Sequence, residues 1–324
     1  MNPALDSAPL PDSPPKKGPS NLRLRAIWGA LAAALLFSCT FGGPISFGVF
    51  FAAVQAVILK EFYRIMRAEG YRPASWAGAV VGVLTFAIIH LTYGSSSYFD
   101  LPSGWTIYPP MSFVMETKSI VQVLASAAGS FLNIWFIGLG LIILVVLLLR
   151  EIVLWPNHGQ PFANIGVTLM GLLYVSLPMA LLNVIAFTDK GYTPRRIFFL
   201  CVLIWAADTG AYFAGKNLGK HKLAPSISPA KTWEGWAGGA LLTLATGWAA
   251  GYFLPDIPLS HRLVAAGVVA IFGPLGDLAE SMLKRSAGVK DSGTFLPGHG
   301  GLLDRFDAFL LVLPVLALLQ VLVG

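Results

Sequence analysis

Long apolar runs dominate this chain and restrict what it can fold into. A helix needs roughly 17 to 25 mostly apolar residues to cross the hydrocarbon layer of a membrane. The sequence contains about nine apolar runs near this length, of which the second is short and the fourth is long enough to be tilted or broken near Gly129. We therefore predict an all-α, polytopic integral membrane protein with about nine transmembrane helices. The predicted spans are Ala26–Gly42, Ile45–Leu59, Trp76–Tyr93, Ile120–Leu149, Phe162–Phe187, Ile197–Ala214, Trp233–Leu254, Leu263–Ala279 and Phe306–Val323.

The composition agrees with a membrane location. Hydrophobic residues make up 56% of the chain and charged residues only 12%, whereas soluble domains carry roughly 25% charged residues. The formal net charge of +6 suits basic loops that face an anionic membrane leaflet or an anionic substrate. No nucleic acid partner is expected, because no basic soluble surface is available. The two cysteines, Cys39 and Cys201, lie in apolar runs and are not spaced for metal binding.

The chain divides into a short tail and one long domain. Residues 1–22 are rich in Pro and Ser and are predicted to be a disordered N-terminal tail. They do not resemble a signal peptide, because the apolar run begins only after Arg25 and no cleavage site follows it. Residues 23–324 are predicted to form a single membrane-embedded domain, and residues 208–307 carry its polar motifs.

The distribution of Lys and Arg predicts how the spans are oriented. With the N-terminus in the cytoplasm, Lys60, Arg64 and Arg72 after the second span also face the cytoplasm, as an ordinary basic anchor. The same orientation places the loops Lys216–Lys231 and Ser281–Arg305 on the cytoplasmic side. We therefore expect a multi-pass protein of the cell membrane whose polar loops face the cytoplasmic nucleotide pool.

The most informative polar stretch is SMLKRSAGVKDSGTFLPGHGGLLDRFD, which ends at Asp307. Charged side chains are costly next to apolar spans and usually mark function. Mixed cations and carboxylates on a Gly-rich loop suit a phosphate group bridged to a divalent metal. The cationic and imidazole side chains are Lys284, Arg285, Lys290, His299 and Arg305, and the carboxylates are Asp291, Asp304 and Asp307.

A second polar region begins with Asp208, inside the sixth predicted span. An intramembrane carboxylate is a functional candidate, although a hydrogen bond to a neighbouring helix would also explain it. Ser228 and Pro229 predict the N-cap and first residue of the seventh span, which places Lys231 and Glu234 on one helical face. The open alternatives are a positive-inside anchor for the basic residues, a surface salt bridge between Lys231 and Glu234, and close helix packing at Gly210, Gly215 and Gly219.

Further carboxylates gather at the ends of the predicted spans. One face of the eighth span carries, at helical spacing, Asp277, Glu280, Ser281 and Lys284. Asp304 and Asp307 lie at the entrance to the last span, where favouring the helix dipole is the open alternative. Together with Asp208 these carboxylates lie at the cytoplasmic ends of three spans, and we expect them to bind a divalent metal.

Four patterns of polar residues support a family assignment. They are Ser281-x-x-Lys284-Arg285 followed by Lys290-Asp291 and Pro297-Gly298-His299-Gly300-Gly301-x-x-Asp304-Arg305-x-Asp307, the upstream Asp208-x-x-Ala211-Tyr212-x-x-Gly215 and Ser228-Pro229-x-Lys231-Thr232-x-Glu234-Gly235, and Gly276-Asp277-Leu278-x-Glu280-Ser281. Together they resemble the signature of the phosphatidate cytidylyltransferase family (CDP-diacylglycerol synthases). The N-terminal half is similar only in general character, with a basic EFYRIMRAEGYRP linker after the second span.

The resemblance implies a reaction between CTP and phosphatidic acid that yields CDP-diacylglycerol and pyrophosphate, with Mg²⁺ as cofactor. Asp277 and Asp304 are the first choices as metal ligands, and Asp208 and Asp307 are the second choices. The catalytic residues implied are Asp277, Lys284, Arg285, Lys290, Asp291, His299, Asp304, Arg305 and Asp307. The substrate-binding residues implied are Asp208, Tyr212, Ser228, Lys231, Glu234, Ser281, Gly300 and Gly301.

The chemistry implied by the resemblance suits these residue types. Nucleotidyl transfer depends on positioning and on charge neutralisation more than on covalent catalysis. Arg and Lys side chains would hold the triphosphate and the lipid phosphate, and His299 would hydrogen-bond the leaving pyrophosphate. Asp291 is expected to matter more for the order of its loop than for the metal.

Two other functions stay open at this point. One is a CTP-dependent cytidylyltransferase or kinase that acts on an isoprenoid lipid or its phosphate, and comparison of diacyl and isoprenoid substrates distinguishes it. The other is a transporter of phosphorylated anions, but many transporter folds contain a repeated half and this sequence shows no such repeat. A homodimer is left open.

Overall fold

The computed structural model describes residues 21–98, 138, 140–157, 159–188, 190–293, 295 and 300–323. Within these residues the chain is mostly helical, as predicted. The helices are α1 Asn21–Phe41, α2 Pro44–Ala68, α3 Ser75–Tyr98, α4 over residues 140–154, α5 Pro161–Ala186, α6 Pro194–Leu218, α7 Trp233–Ala249, α8 Leu259–Ser286 and α9 Leu303–Val323. Helix α5 includes a π-helical turn, Leu172–Ser176. The strands are β1 Phe187–Thr188, β2 Gly191–Tyr192, β3 Lys222–Ala224 and β4 Ser228–Thr232, which form two antiparallel hairpins.

Five helices in the described part of the chain are long and apolar enough to cross a membrane. They are α2, residues Ser75–Gly94 of α3, α5, α6 and α8. Large apolar side chains face outward, as in Trp76 and Phe253, which are 80% and 82% exposed. The chain is therefore a membrane protein with several apolar helices. Most of the predicted tail 1–22 and most of the predicted fourth span lie outside the described residues.

Helix α2 lies at the centre of the packed core. Pro44 occupies its first turn, where the missing N–H costs no hydrogen bond. Its side chains Phe47, Ile58 and Tyr63 are fully buried. The Tyr63 hydroxyl donates to the carbonyl oxygen of Thr168 on α5 at 2.9 Å. Because lipid tails are as apolar as these side chains, close packing and such hydrogen bonds, rather than exclusion of water, hold the helices together.

Glycines bring α6 and α7 into close contact. A Cβ atom at Gly210 would lie 2.6 Å from the carbonyl oxygen of Gly238, and one at Gly239 would lie 2.7 Å from that of Ala207. Neither position accepts a side chain without separating the helices. The packing alternative considered for Gly210 therefore applies, and it aligns the polar end of α6 with the start of α7.

A second close crossing joins α8 to α9. A Cβ atom at Gly276 would collide with the carbonyl oxygen of Asp307 and would lie 3.0 Å from Ala308 Cα. Two residues earlier, Pro274 lacks the N–H that would bond Ala270 within α8. The Trp236 indole on α7 donates to that carbonyl oxygen at 3.0 Å instead. Asp277, the residue after Gly276, is therefore held beside the first turns of α9.

The predicted span Trp233–Leu254 begins at the same residue as α7, but the predicted helix N-cap at Ser228 is wrong. Ser228 begins strand β4, and α7 starts at Trp233 with Thr232 as the N-cap, which accepts the Gly235 N–H at 3.1 Å. Pro229 is compatible with this strand because a two-stranded hairpin has only edge strands. Since Lys231 lies in β4, it does not share a helical face with Glu234, as had been predicted.

Candidate active site

The two polar regions of the sequence meet at one end of the helix bundle. Lys231 at the end of β4 reaches α8, where its Nζ lies 2.6 Å from Asp277 Oδ2 and donates to the Pro274 carbonyl oxygen at 3.3 Å. On α6, Asp208 is exposed and lies within electrostatic range of Asp277, Lys231 and Arg305. The structure therefore brings residues from α6, the β3–β4 hairpin, α8 and α9 into one site.

Three carboxylates at this site are close enough to share a cation. Asp277 and Glu280 on α8 and Asp307 on α9 each offer an oxygen, and these three oxygens lie within 4.8 Å of one another. Glu280 is 1% exposed, and its Oε1 has no hydrogen-bond partner among the described residues. A buried carboxylate oxygen without a donor is costly, so this oxygen is well placed to be a ligand. An all-oxygen group of this kind fits Mg²⁺.

Asp304 occupies a different environment from these three carboxylates. Its Oδ1 accepts from Lys284 Nζ at 2.6 Å, and its Oδ2 accepts the Gly301 N–H at 2.9 Å and the Ser292 N–H at 3.2 Å. Lys284 also pairs with Glu280 Oε2 at 2.5 Å. With both oxygens engaged, Asp304 orders the loop between α8 and α9. The geometry favours Glu280 over Asp304 as a metal ligand, and the ligand set stays a prediction.

The remaining predicted residues of α8, the loop and α9 surround this site. Ser281 Oγ donates to Asp277 Oδ1 at 3.2 Å, as their helical spacing allows. Gly300 has φ +82°, a left-handed conformation that favours glycine. The exposed side chains are Arg285, Lys290, Asp291 and Arg305. His299 lies outside the described residues, and so do the preceding Pro297 and Gly298.

The residues predicted on α6 and around the β3–β4 hairpin have varied roles. Glu234 supports the hairpin, because it accepts the N–H groups of Lys220 and His221 and lies 2.6 Å from His221 Nδ1. Tyr212 is 61% exposed on α6, and Lys216 Nζ lies 5.8 Å from the centre of its ring. Ser228 opens β4 opposite Ala224.

Two further side chains at this end of the bundle were absent from the predicted site. Glu280 had been placed on the correct helical face but not among the ligands. Glu61 on α2 is 5% exposed and accepts the N–H of Leu303 at 2.8 Å. The signal for Glu61 was a carboxylate two residues after the end of an apolar run, in the basic linker that had been interpreted as a membrane anchor.

Comparison with known proteins identifies the family. The model of the cytidylyltransferase family matches residues 23–323. The chain belongs to the cytidylyltransferase family. Membership makes it a nucleotidyltransferase and confirms the resemblance found in the polar motifs.

Individual relatives in this family cover much of the chain. A protein of Bacillus subtilis (strain 168) named phosphatidate cytidylyltransferase is 36% identical over 298 residues, which is 91% of this chain and 96% of the relative. A Staphylococcus saprophyticus protein of the same name is 39% identical over 203 residues, or 62% of this chain and 76% of the relative. One from Staphylococcus aureus (strain COL) is 38% identical over the same share of both chains.

Proposed function

We propose that this protein transfers the cytidylyl group of CTP to phosphatidic acid and releases pyrophosphate. A phosphate oxygen of the lipid forms a bond to the α-phosphorus of CTP, the bond from that phosphorus to the bridging oxygen breaks, and CDP-diacylglycerol is the product. The observation that supports this most directly is the meeting of Lys231 with Asp277 beside Glu280 and Asp307, in a chain of the cytidylyltransferase family. The names of the relatives supply the lipid substrate.

The cluster of three carboxylates fits the Mg²⁺ that such a reaction uses. Asp277, Glu280 and Asp307 would hold it, with Asp208 close by. Bound there, the metal would neutralise negative charge on the phosphates and orient them. Asp304 would act on the loop that carries the substrate-binding residues, through its bonds to Ser292 and Gly301.

Cationic side chains would hold the phosphate groups of both substrates. Lys231 and Lys284 are fixed by ion pairs, so their positions are set before substrate arrives. Arg285, Lys290 and Arg305 are exposed near them and suit bidentate or point contacts to phosphate. No general base is needed, because a phosphate monoester already carries about −1.5 to −2 charge at pH 7. His299 would hydrogen-bond the departing pyrophosphate.

The proposal includes an arrangement in the membrane. We infer about nine spans, a cytoplasmic N-terminus and a site on the cytoplasmic side of the cell membrane, where CTP is available. The distribution of Lys and Arg supports this orientation. Both substrates would then reach one site, with the lipid arriving from the leaflet and the nucleotide from the cytoplasm.

The decisive assay measures CTP-dependent pyrophosphate release by the purified protein in detergent. Phosphatidic acid should support formation of CDP-diacylglycerol in a Mg²⁺-dependent reaction, whereas an isoprenoid monophosphate should give no more than background. If the isoprenoid monophosphate were the better substrate, the lipid substrate of this protein would be an isoprenoid and not phosphatidic acid. Absence of product from either lipid with any divalent metal would refute the proposed enzyme, and vesicle uptake of a phosphorylated anion would then support the transporter.

A further inference from the structure

Glu61 and Arg64, on the end of α2, contact the motif loop between α8 and α9. Glu61 Oε2 accepts the Ser292 hydroxyl at 3.2 Å and the Leu303 N–H at 2.8 Å, at the first residue of α9. Arg64 Nη2 donates to the Ser292 carbonyl oxygen at 2.6 Å. A helix from the N-terminal half of the chain therefore holds both the loop and the start of α9.

Ser292 connects this contact to the site. It is 0% exposed, and its hydroxyl lies 2.9 Å from Asp304 Oδ2 as well as next to Glu61. Its N–H donates to Asp304, which in turn accepts from Lys284. One chain of hydrogen bonds thus runs from α2 through Ser292 and Asp304 to a cation of the site.

Two glycines leave the space that the Glu61 carboxylate occupies. A Cβ atom at Gly301 would lie 2.6 Å from Glu61 Oε2 and would collide with Ser292 Oγ. A Cβ atom at Gly293 would collide with Glu61 Oε1. The loop is therefore shaped around this side chain, which is 5% exposed. Burying a carboxylate is costly unless donors bind it, and the Ser292 hydroxyl and the Leu303 N–H are those donors here.

We propose that Glu61 and Arg64 are positioning residues for the cytidylyl transfer, because they hold the motif loop in the conformation that binds CTP. This inference rests on the proposed function. Glu61 is remote in sequence and touches Ser292 and Leu303, so it acts through the loop and the start of α9. Loss of its charge should loosen Lys290 and Arg305, which lie on that loop and helix, without removing any group that binds phosphate.

The test compares two isosteric substitutions on the same helix end. Glu61→Gln keeps the shape of the side chain but weakens its acceptor charge. Glu69→Gln is the matched control, because Glu69 is exposed and its Oε2 accepts the Ser286 hydroxyl at a long 3.4 Å. In Glu61→Gln the KM for CTP should rise roughly tenfold or more, as expected for loss of a hydrogen bond to a charged group. The KM for phosphatidic acid should change less than threefold, and Glu69→Gln should behave like the parent protein.

A double-mutant cycle separates positioning from general stability. Ser292→Ala should raise the KM for CTP to a similar extent, and the double variant with Glu61→Gln should be little worse than either single variant. Hydrogen exchange provides a readout without turnover, because Glu61→Gln should speed exchange in residues 291–293 and 300–303 and leave α7 unchanged. If the parent protein were inactive, the proposed function would fail, and exchange alone would decide whether Glu61 orders the loop. Unchanged exchange, or faster exchange with an unchanged KM for CTP, would overturn the inference.

Discussion

Asp277→Asn separates the catalytic and structural roles of the carboxylate group most cleanly. Asp277 makes an ion pair with Lys231 at 2.6 Å, accepts from Ser281 at 3.2 Å and offers an oxygen to the group shared with Glu280 and Asp307. Asparagine keeps the size of the side chain and one acceptor oxygen. The substitution therefore removes the charge while the helix crossing at Gly276 is unchanged.

The structure predicts a small cost in stability and a large cost in rate. The side chain of Asp277 is 45% exposed and that of Lys231 is 22% exposed, so solvent screens their ion pair. Such pairs contribute about 0.2 to 1 kcal/mol, and we expect a loss of folding stability in that range. Charge stabilisation by a bound metal is worth several kcal/mol. At about 1.4 kcal/mol for each tenfold change, turnover should fall by at least roughly 100-fold.

The assay measures pyrophosphate release as a function of Mg²⁺ concentration, alongside thermal unfolding in detergent. Asp256→Asn is the matched control, because Asp256 pairs with Arg195 at 3.7 Å and both side chains are well exposed, at 77% and 63%. The control should retain the parent rate, and Asp277→Asn should lose it while unfolding at nearly the same temperature. A folded Asp277→Asn protein with more than half of the parent rate across the Mg²⁺ range would refute the ligand assignment.

Two further substitutions test the packing around the site, and a set of single cysteines tests the topology. Lys284→Ala should lower stability by about 3 to 5 kcal/mol in a denaturant titration, because it leaves two largely buried carboxylates without their shared cation. Gly276→Ala should cost about 1 to 3 kcal/mol and reduce activity, because the added methyl group pushes α8 away from α9; unchanged unfolding would contradict the close crossing. In a cysteine-free background, cysteines at the exposed Ser226 and Asp291 should resist an impermeant reagent in intact cells, whereas one at Ser260 should react. Reaction of only one of the first two would refute a shared cytoplasmic face.

The sequence predicted the helices well where the apolar pattern is local. The predicted span Phe162–Phe187 corresponds closely to α5, and Ile197–Ala214 lies within α6. The predicted span Ile45–Leu59 ends too early, because α2 continues to Ala68 through charged residues. Among them Glu61 is buried, and Glu61 and Arg64 accept from or donate to Leu303 and Ser292, more than 200 residues later. No local pattern reports such a partner.

The start of α7 shows a second limit of local signals. Ser followed by Pro is typical of a helix N-terminus, and Ser228-Pro229 fits that pattern. Backbone pairing of β4 with β3 and the bonds from Glu234 to the preceding turn outweigh it. Thr232, a good N-cap residue four positions later, then begins the helix. Lys231 and Asp277 were thus both among the predicted site residues, whereas the hairpin that delivers Lys231 to Asp277 was not predicted.

The site combines carboxylates, which repel an anionic phosphate, with lysines, which repel a divalent cation. Charge balance explains this combination. Each ion pair joins a lysine to a carboxylate, as in Lys231 with Asp277 and Lys284 with Glu280. Asp307 adds a further carboxylate to the same group, so negative charge concentrates where an anionic triphosphate must arrive. Like charges repel strongly in a partly buried site, so the carboxylates favour a divalent cation as a bridge to the phosphates. In the proposed site the lysines would be oriented by the same carboxylates that would hold the cation, so one arrangement of side chains would serve both ligands.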